Sequence, residues 1–423
     1  MNPSKRRLIA GVILLLIMGG VGIVINYLAS SFAYADSDTK AATINKSVVA
    51  ANTDFAVRLL KELQNEQTGK DIFVSPLSVS IALSMAYNGA NSTTKEAMAS
   101  ALGFSGMSDD AVNAGFSDLI GSLLSVDRDV SLNIGNSVWV RSSFASAVNP
   151  VFTSALSGYY RSVIYSKSFD SSTVDEVNAW VSKETNGKIT KLLDKIDGDN
   201  VMFLINAIYF KGGWVDEFDT SQTRRADFTT ADGSTVNVDM MSRGGSYAYY
   251  GDAEVQVARL PYGRDKIAMY ILLPTEVSSL NSFVSGLTGE KLSSYFDKMS
   301  NTELDLKMPK LKLEYGKVDL KDALTNLGMG IAFDRSAADF SRIADVRPER
   351  LYIAFVDHKA VVEVNEKGTE AAAATNVGIS VTSMPLRTPL TVDRPYMFVI
   401  RDDRSGSILF SGLITDPTQQ TSP

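Results

Sequence analysis

The 423-residue chain has no cysteine and a single histidine, His358. Without cysteine there is no disulfide, no thiolate metal site and no thiol nucleophile. With one histidine, most zinc sites are excluded too, and a Ser-His-Asp hydrolase would have to use His358. Cations are the minority charge: 41 Lys and Arg face 48 Asp and Glu, a net −7. Phosphate binding needs clustered cations, so this balance argues against a nucleic-acid partner. Neither G-x-x-x-x-G-K-[ST], nor G-x-G-x-x-G after a strand, nor G-x-S-x-G occurs. Phosphate loops and a nucleophile elbow are thereby missing. No cofactor or metal is implied, and the chemistry gives no support for an enzyme.

What is present points to a sizeable core. The chain is 45% apolar and 21% charged, outside the range of disordered sequences. Length alone suggests two or three domains. Beyond a polar linker at 36–47, however, there is no Pro-rich or Ser-rich break and no repeat, which favours one domain from 48 to 418 and a short tail, 419–423. Residues 1–35 read as a targeting segment. Lys5, Arg6 and Arg7 precede an apolar run from Leu8 to Ile25, and Ala33-Tyr34-Ala35 fits a cleavage site. The run is long enough either for a cleaved signal or for a retained membrane anchor. Both place the remainder outside the membrane, secreted or on the outer face. Removing 1–35 takes away three positive charges and no negative ones, moving the net charge from −7 to −10.

Helical periods dominate the first third. Phe55, Leu59, Leu60 and Leu63 form one stripe, and Val174, Val177, Trp180 and Val181 another, stopped near Gly187. Thr93 to Glu96 has the pattern of a capping box. Strand signals follow: 201–210, apolar enough to be buried on both faces, then 267–274 and 351–364. "MFVIRD" and "SILFSGLI" read as a hairpin turning at Ser405-Gly406. Helices first and strands later predict an α+β fold. His358 falls in a strand on the face of Val356, Ala360, Val362 and Val364, the place of a hydrogen-bonded core histidine rather than a catalytic one.

Residues 366–383, EKGTEAAAATNVGISVTS, commit to neither helix nor strand. As a strand, one face carries Thr369, Ala371, Ala373, Thr375, Val377, Ile379 and Val381. That face has no charge and no long polar group, so it tolerates burial. The other face carries Glu370, Ala372, Ala374 and Asn376 and suits solvent. Gly368 offers a pivot at the start. The alternative is a short Ala-rich helix and a loop.

This segment resembles the hinge and reactive loop of the serpin family, in a member of inhibitory, prokaryotic type. "FVSPLSVSIALSMAYNGANSTTKEAM", "NAIYFKGGWVDEFDTSQTRRADF", "HKAVVEVNEKGTEAAAAT" and "DRPYMFVIRD" with "SILFSGLITDP" resemble further motifs of that family, in order, from about 48 to 418. The resemblance implies three β-sheets with surrounding helices and an exposed reactive loop, about 366–388. It implies a monomeric suicide-substrate inhibitor of serine proteases, not an enzyme. The protease cuts the loop and is trapped as a covalent acyl complex while the loop inserts as a central strand. Family spacing from Glu366 puts the scissile bond at Thr382-Ser383, which suits an elastase- or subtilisin-like target. Val381 and Met384 remain candidates for the residue before the cut, and Arg387 would suit a trypsin-like enzyme. The hinge spans Glu366, Gly368, Thr369, Glu370 and Ala371 to Ala374. Ser75, Ser78, Asn206 and His358 match the family's shutter; Trp214, Lys310 and Glu366 match its breach. A non-inhibitory binder or chaperone is the alternative. Asn45-Lys46-Ser47 and Asn91-Ser92-Thr93 also fit the N-glycosylation triplet.

Overall fold

The computed structural model describes residues 44–277, 279–346, 350–369, 386–419 and 421–422. The targeting segment, most of the linker, Glu370, Ala371 to Ala374, Thr382 and Ser383 lie outside the described residues.

Helix α1 (Lys46–Glu66) buries the expected Phe55, Leu59, Leu60 and Leu63. Its first turn begins inside the expected linker, because the Asn45 side chain accepts the Ser47 N–H and caps it. Strand β1 (Ile72–Val74) leads to α2 (Pro76–Gly89), with Ser75 as N-cap and Pro76 in the first turn, where a missing N–H costs nothing. Then come α3 (Ser92–Leu102), α4 (Asp109–Leu123), β2 (Val130–Arg141), α5 (Pro150–Tyr160), β3 (Val163–Lys167) and α6 (Ser171–Glu184). The capping box at Thr93 does not form. Asn91 stands at the N-cap, and the Thr94 hydroxyl instead accepts the Asp339 N–H at 2.9 Å.

The second half is strand-rich: β4 (Met202–Gly213), β5 (Arg224–Thr229), β6 (Thr235–Gly251), β7 (Val255–Tyr262) and β8 (Ile267–Pro274). Helices α7 (Leu280–Ser285) and α8 (Gly289–Asp297) precede β9 (Ser300–Pro309) and β10 (Leu311–Asp319). The chain ends with β11 (Asp357–Asn365), β12 (Gly368–Thr369), β13 (Thr388–Thr391), β14 (Tyr396–Asp402), β15 (Ile408–Ile414) and β16 (Thr421–Ser422). The β14–β15 hairpin turns where expected, with Gly406 at φ +83°.

One sheet has seven strands, ordered β16-β10-β11-β12-β4-β2-β3. The tail therefore does not stand apart, since Thr421–Ser422 extends this sheet's edge in parallel with Glu314–Tyr315. The remaining strands form two further sheets that share β6. Tyr249 to Gly251 of β6 pair with β7, which continues through β8, β14, β15 and β1. Met240 to Tyr249 pair with β9, to which β13 adds, and Thr235 to Met240 pair with β5. The three-sheet α+β architecture is thus present. The core lies between the β1-β15-β14-β8-β7 sheet, in which β1, β8 and β15 are buried on both faces, and the helices α1 to α5. Each fully buried Leu, Ile or Phe there contributes about 1.5–3 kcal/mol.

Two strand expectations change. Residues 351–356 are not strand, for β10 ends at Asp319 and leaves them no ladder partner. In β4 only one face is fully buried, with Phe203, Ile205, Ala207 and Tyr209; Leu204, Asn206 and Ile208 are half-buried. The cause is the gap beside it.

Candidate functional site

Strand β12 is only two residues long, and it sits between β11 and β4. Thr369 pairs with Val364 on one side and Gly212 on the other; Gly368 pairs with Asn365 and Gly213. Further along, among the described residues no strand lies between β4 and β11. A cleft of about 740 Å³ runs there, lined by residues 200–208 of β4 and its approach, 350–359 of β11 and its approach, α2, and the segment after α6. Both strands present ladder edges to this cleft, the arrangement that invites strand addition.

At the head of the cleft, Gly368 adopts φ +142°, and a Cβ there would collide with the Gly212 carbonyl oxygen. Glycine is required on both counts. Thr369 is 3% exposed, and its hydroxyl lies 2.7 Å from that of Tyr262. The expected breach residues converge. Lys310 Nζ is 3.2 Å from Glu366 Oε2, and Thr223 donates to Glu366 Oε1 at 2.8 Å. Burial pushes the Glu366 carboxyl up, but its backbone hydrogen bond, Thr223 and Lys310 outweigh this and leave it below the ordinary range. Trp214 donates its indole N–H to Asn365 O at 3.0 Å, and the Trp214 and Phe218 amides bond the Lys367 and Glu366 carbonyls. The turn at 366–367 is therefore held from below.

Lower down, the Ser75 N–H donates to His358 Nε2 at 3.1 Å, the Ser75 hydroxyl donates to Leu409 O at 2.7 Å, and the Ser78 N–H donates to Ser75 Oγ. His358 is fully buried, and burial lowers its pKa to about 4. The imidazole is neutral and acts as an acceptor. Asn206 does not join this cluster. Its amide donates to Asn136 Oδ1 at 2.8 Å, and its buried Oδ1 has no hydrogen-bond partner, although Ser78, Asn206 and His358 all line the same cleft.

At the far end of the loop, Arg387 packs over Gly244, where any Cβ would strike its guanidinium, and lies 3.6 Å from Glu303. Strand β13 begins at the next residue. A protease cutting after Arg387 would first have to open this contact, which disfavours the trypsin-type alternative. Pattern reading missed Tyr262 and Asn136, which reach the site from separate strands with nothing in their local spacing to mark them. Gly212 and Thr223 fall inside the quoted motif 206–228, which assigned them no role.

A match to the family Serpin (serine protease inhibitor) spans residues 50–417. The chain belongs to the serpin family. Human Serpin B11 is 33% identical over 398 residues, covering 88% of this chain and all of the relative. Tengpin, a thermophilic serpin, superposes in its native state with TM-score 0.81 at 30% identity, over 88% of this chain and 95% of tengpin. The latent state of tengpin superposes less well, at 0.75 and 28% identity, over 88% and 99%. Human thyroxine-binding globulin in complex with thyroxine gives 0.78 at 28% identity, over 88% and 99%. These relatives do not support the prokaryotic type expected above. Serpins are typically protease inhibitors rather than enzymes, and this chain has their fold.

Proposed function

We propose that this serpin inhibits serine proteases as a suicide substrate. The observation that supports it is β12: two hinge residues already paired at the head of a cleft in which no strand lies among the described residues. A protease serine attacks the Thr382 carbonyl, the Thr382–Ser383 amide breaks, and the Ser383 amine leaves with a proton. The acyl-linked loop then extends β12 down the cleft. With Thr369 already seated, Ala371 and Ala373 enter first, and small uncharged side chains let the sheet open around them. Val377 and Ile379 follow, each adding about 1.5–3 kcal/mol if fully buried. New ladder hydrogen bonds add about 0.5–1.5 kcal/mol each. A threonine before the cut suits elastase- or subtilisin-like proteases. The likeness to a thyroxine binder favours a non-inhibitory binding role as the second reading. Incubation with elastase, subtilisin, chymotrypsin and trypsin separates the two. An SDS-resistant protein–protease band, with mass spectrometry placing the cut after Thr382, is the expected result; clean cleavage without a band favours the binder.

A further inference from the structure

Tyr262 is the last residue of β7, and its side chain is completely buried. Its ring stacks on Trp214 at 4.3 Å and meets Phe210 edge-on at 5.0 Å. Gly212 makes room for it, since a Cβ there would press on the Tyr262 side chain. The ring is therefore clamped, and its hydroxyl has a fixed position at the head of the cleft. Among the described residues that hydroxyl has one hydrogen-bond partner, Thr369 Oγ1 at 2.7 Å. The Thr369 hydroxyl, itself buried, likewise has no other among the described residues. Two buried hydroxyls satisfy each other, one on the scaffold and one on the hinge. Loss of either orphans its partner, whereas loss of both leaves an apolar contact.

We propose that Tyr262 is a positioning residue for loop insertion: its hydroxyl latches Thr369 in the sheet and sets the point from which the strand grows. The consequence for inhibition rests on the inhibitor reading above; the latch itself does not. With the hinge already seated, insertion starts from a formed ladder rung instead of a freely moving loop. Releasing the latch slows the first step relative to hydrolysis of the acyl-enzyme, so more inhibitor is consumed as substrate.

The test compares Tyr262→Phe, Thr369→Val and the double variant. Amide hydrogen exchange at Gly368 and Thr369 reads the latch without any protease. Each single variant is expected to exchange there about 10-fold faster, the scale of one buried hydrogen bond. The double variant should be no faster than either single one, whereas independent effects would multiply to about 100-fold. Exchange in β14 should not change. Wild-type exchange rates in the single variants, multiplying effects, or equal acceleration in β14 would each overturn the latch. The stoichiometry of inhibition against elastase should rise several-fold in the single variants. If the wild type forms no SDS-resistant complex with any protease, the inhibitor reading fails while the exchange data still decide the latch.

Discussion

A histidine that is neutral in the fold and charged in the unfolded chain couples stability to pH. His358 titrates near 4 when folded, because burial disfavours its cation, and near 6.5 when unfolded. Between those values only the unfolded chain takes up the proton. Stability from this residue is therefore complete above pH 6.5 and falls as pH drops toward 4, by roughly 3 kcal/mol in all. Protonation would also place an N–H at Nε2, where Ser75 now donates. His358→Gln retains an acceptor but does not titrate. The wild type should lose more stability than this variant between pH 7 and 4.5, measured as the shift of the urea midpoint. Parallel losses would show that another group titrates.

Strands carry their function in alternation. Thr369 is buried, and the sequence alternation of an inserted strand would assign position 370 to the opposite face. Thr369→Arg would bury a long cation with no partner, at a cost of several kcal/mol. The protease should still cut the loop of this variant, but insertion should lag behind deacylation, turning the inhibitor into a substrate. Glu370→Arg should retain most inhibition, because strand alternation would give that position to the solvent face. The decisive measurement is inhibitor required per protease inactivated, and equal losses at both positions would refute the inward–outward assignment. Residues 351–356 illustrate the same dependence on neighbours. Their composition suits a strand, but beyond Asp319 the chain turns into a helix, and only single backbone hydrogen bonds, Leu320 N–H to Val356 O and Ile353 N–H to Ala332 O, replace a ladder.

At the scale of the molecule, the proposed inhibition would draw its driving force from filling the cleft. Below β12, the facing edges of β4 and β11 have no partner strand among the described residues, and a cavity of about 740 Å³ lies between residues 200–208 and 350–359. Loop insertion would complete the ladder and fill the space with Val377 and Ile379. Cutting the loop without trapping a protease should therefore raise the melting temperature well above that of intact protein. Calorimetry on both forms checks this, and coincident melts would show that the loop does not insert.

Local pattern determined much of this by itself. Apolar stripes located α1 and α6, continuous apolar runs located β8, β14 and β15, and ordered motifs carried the family. The same motifs named Glu366, Lys310, Trp214, Ser75 and His358, which the fold does bring together. Tertiary structure alone decided the rest. Whether Thr93 caps α3, whether 351–356 forms a strand and where the linker ends depend on competing partners: Asn91, the end of β10 and Asn45. Asn206 pairs with Asn136 because β2 runs beside β4, a fact no spacing along the chain contains. The Tyr262–Thr369 contact joins residues 107 positions apart. Hydrogen bonds at that separation are written in the packing of strands, and only the folded chain puts both hydroxyls in one place.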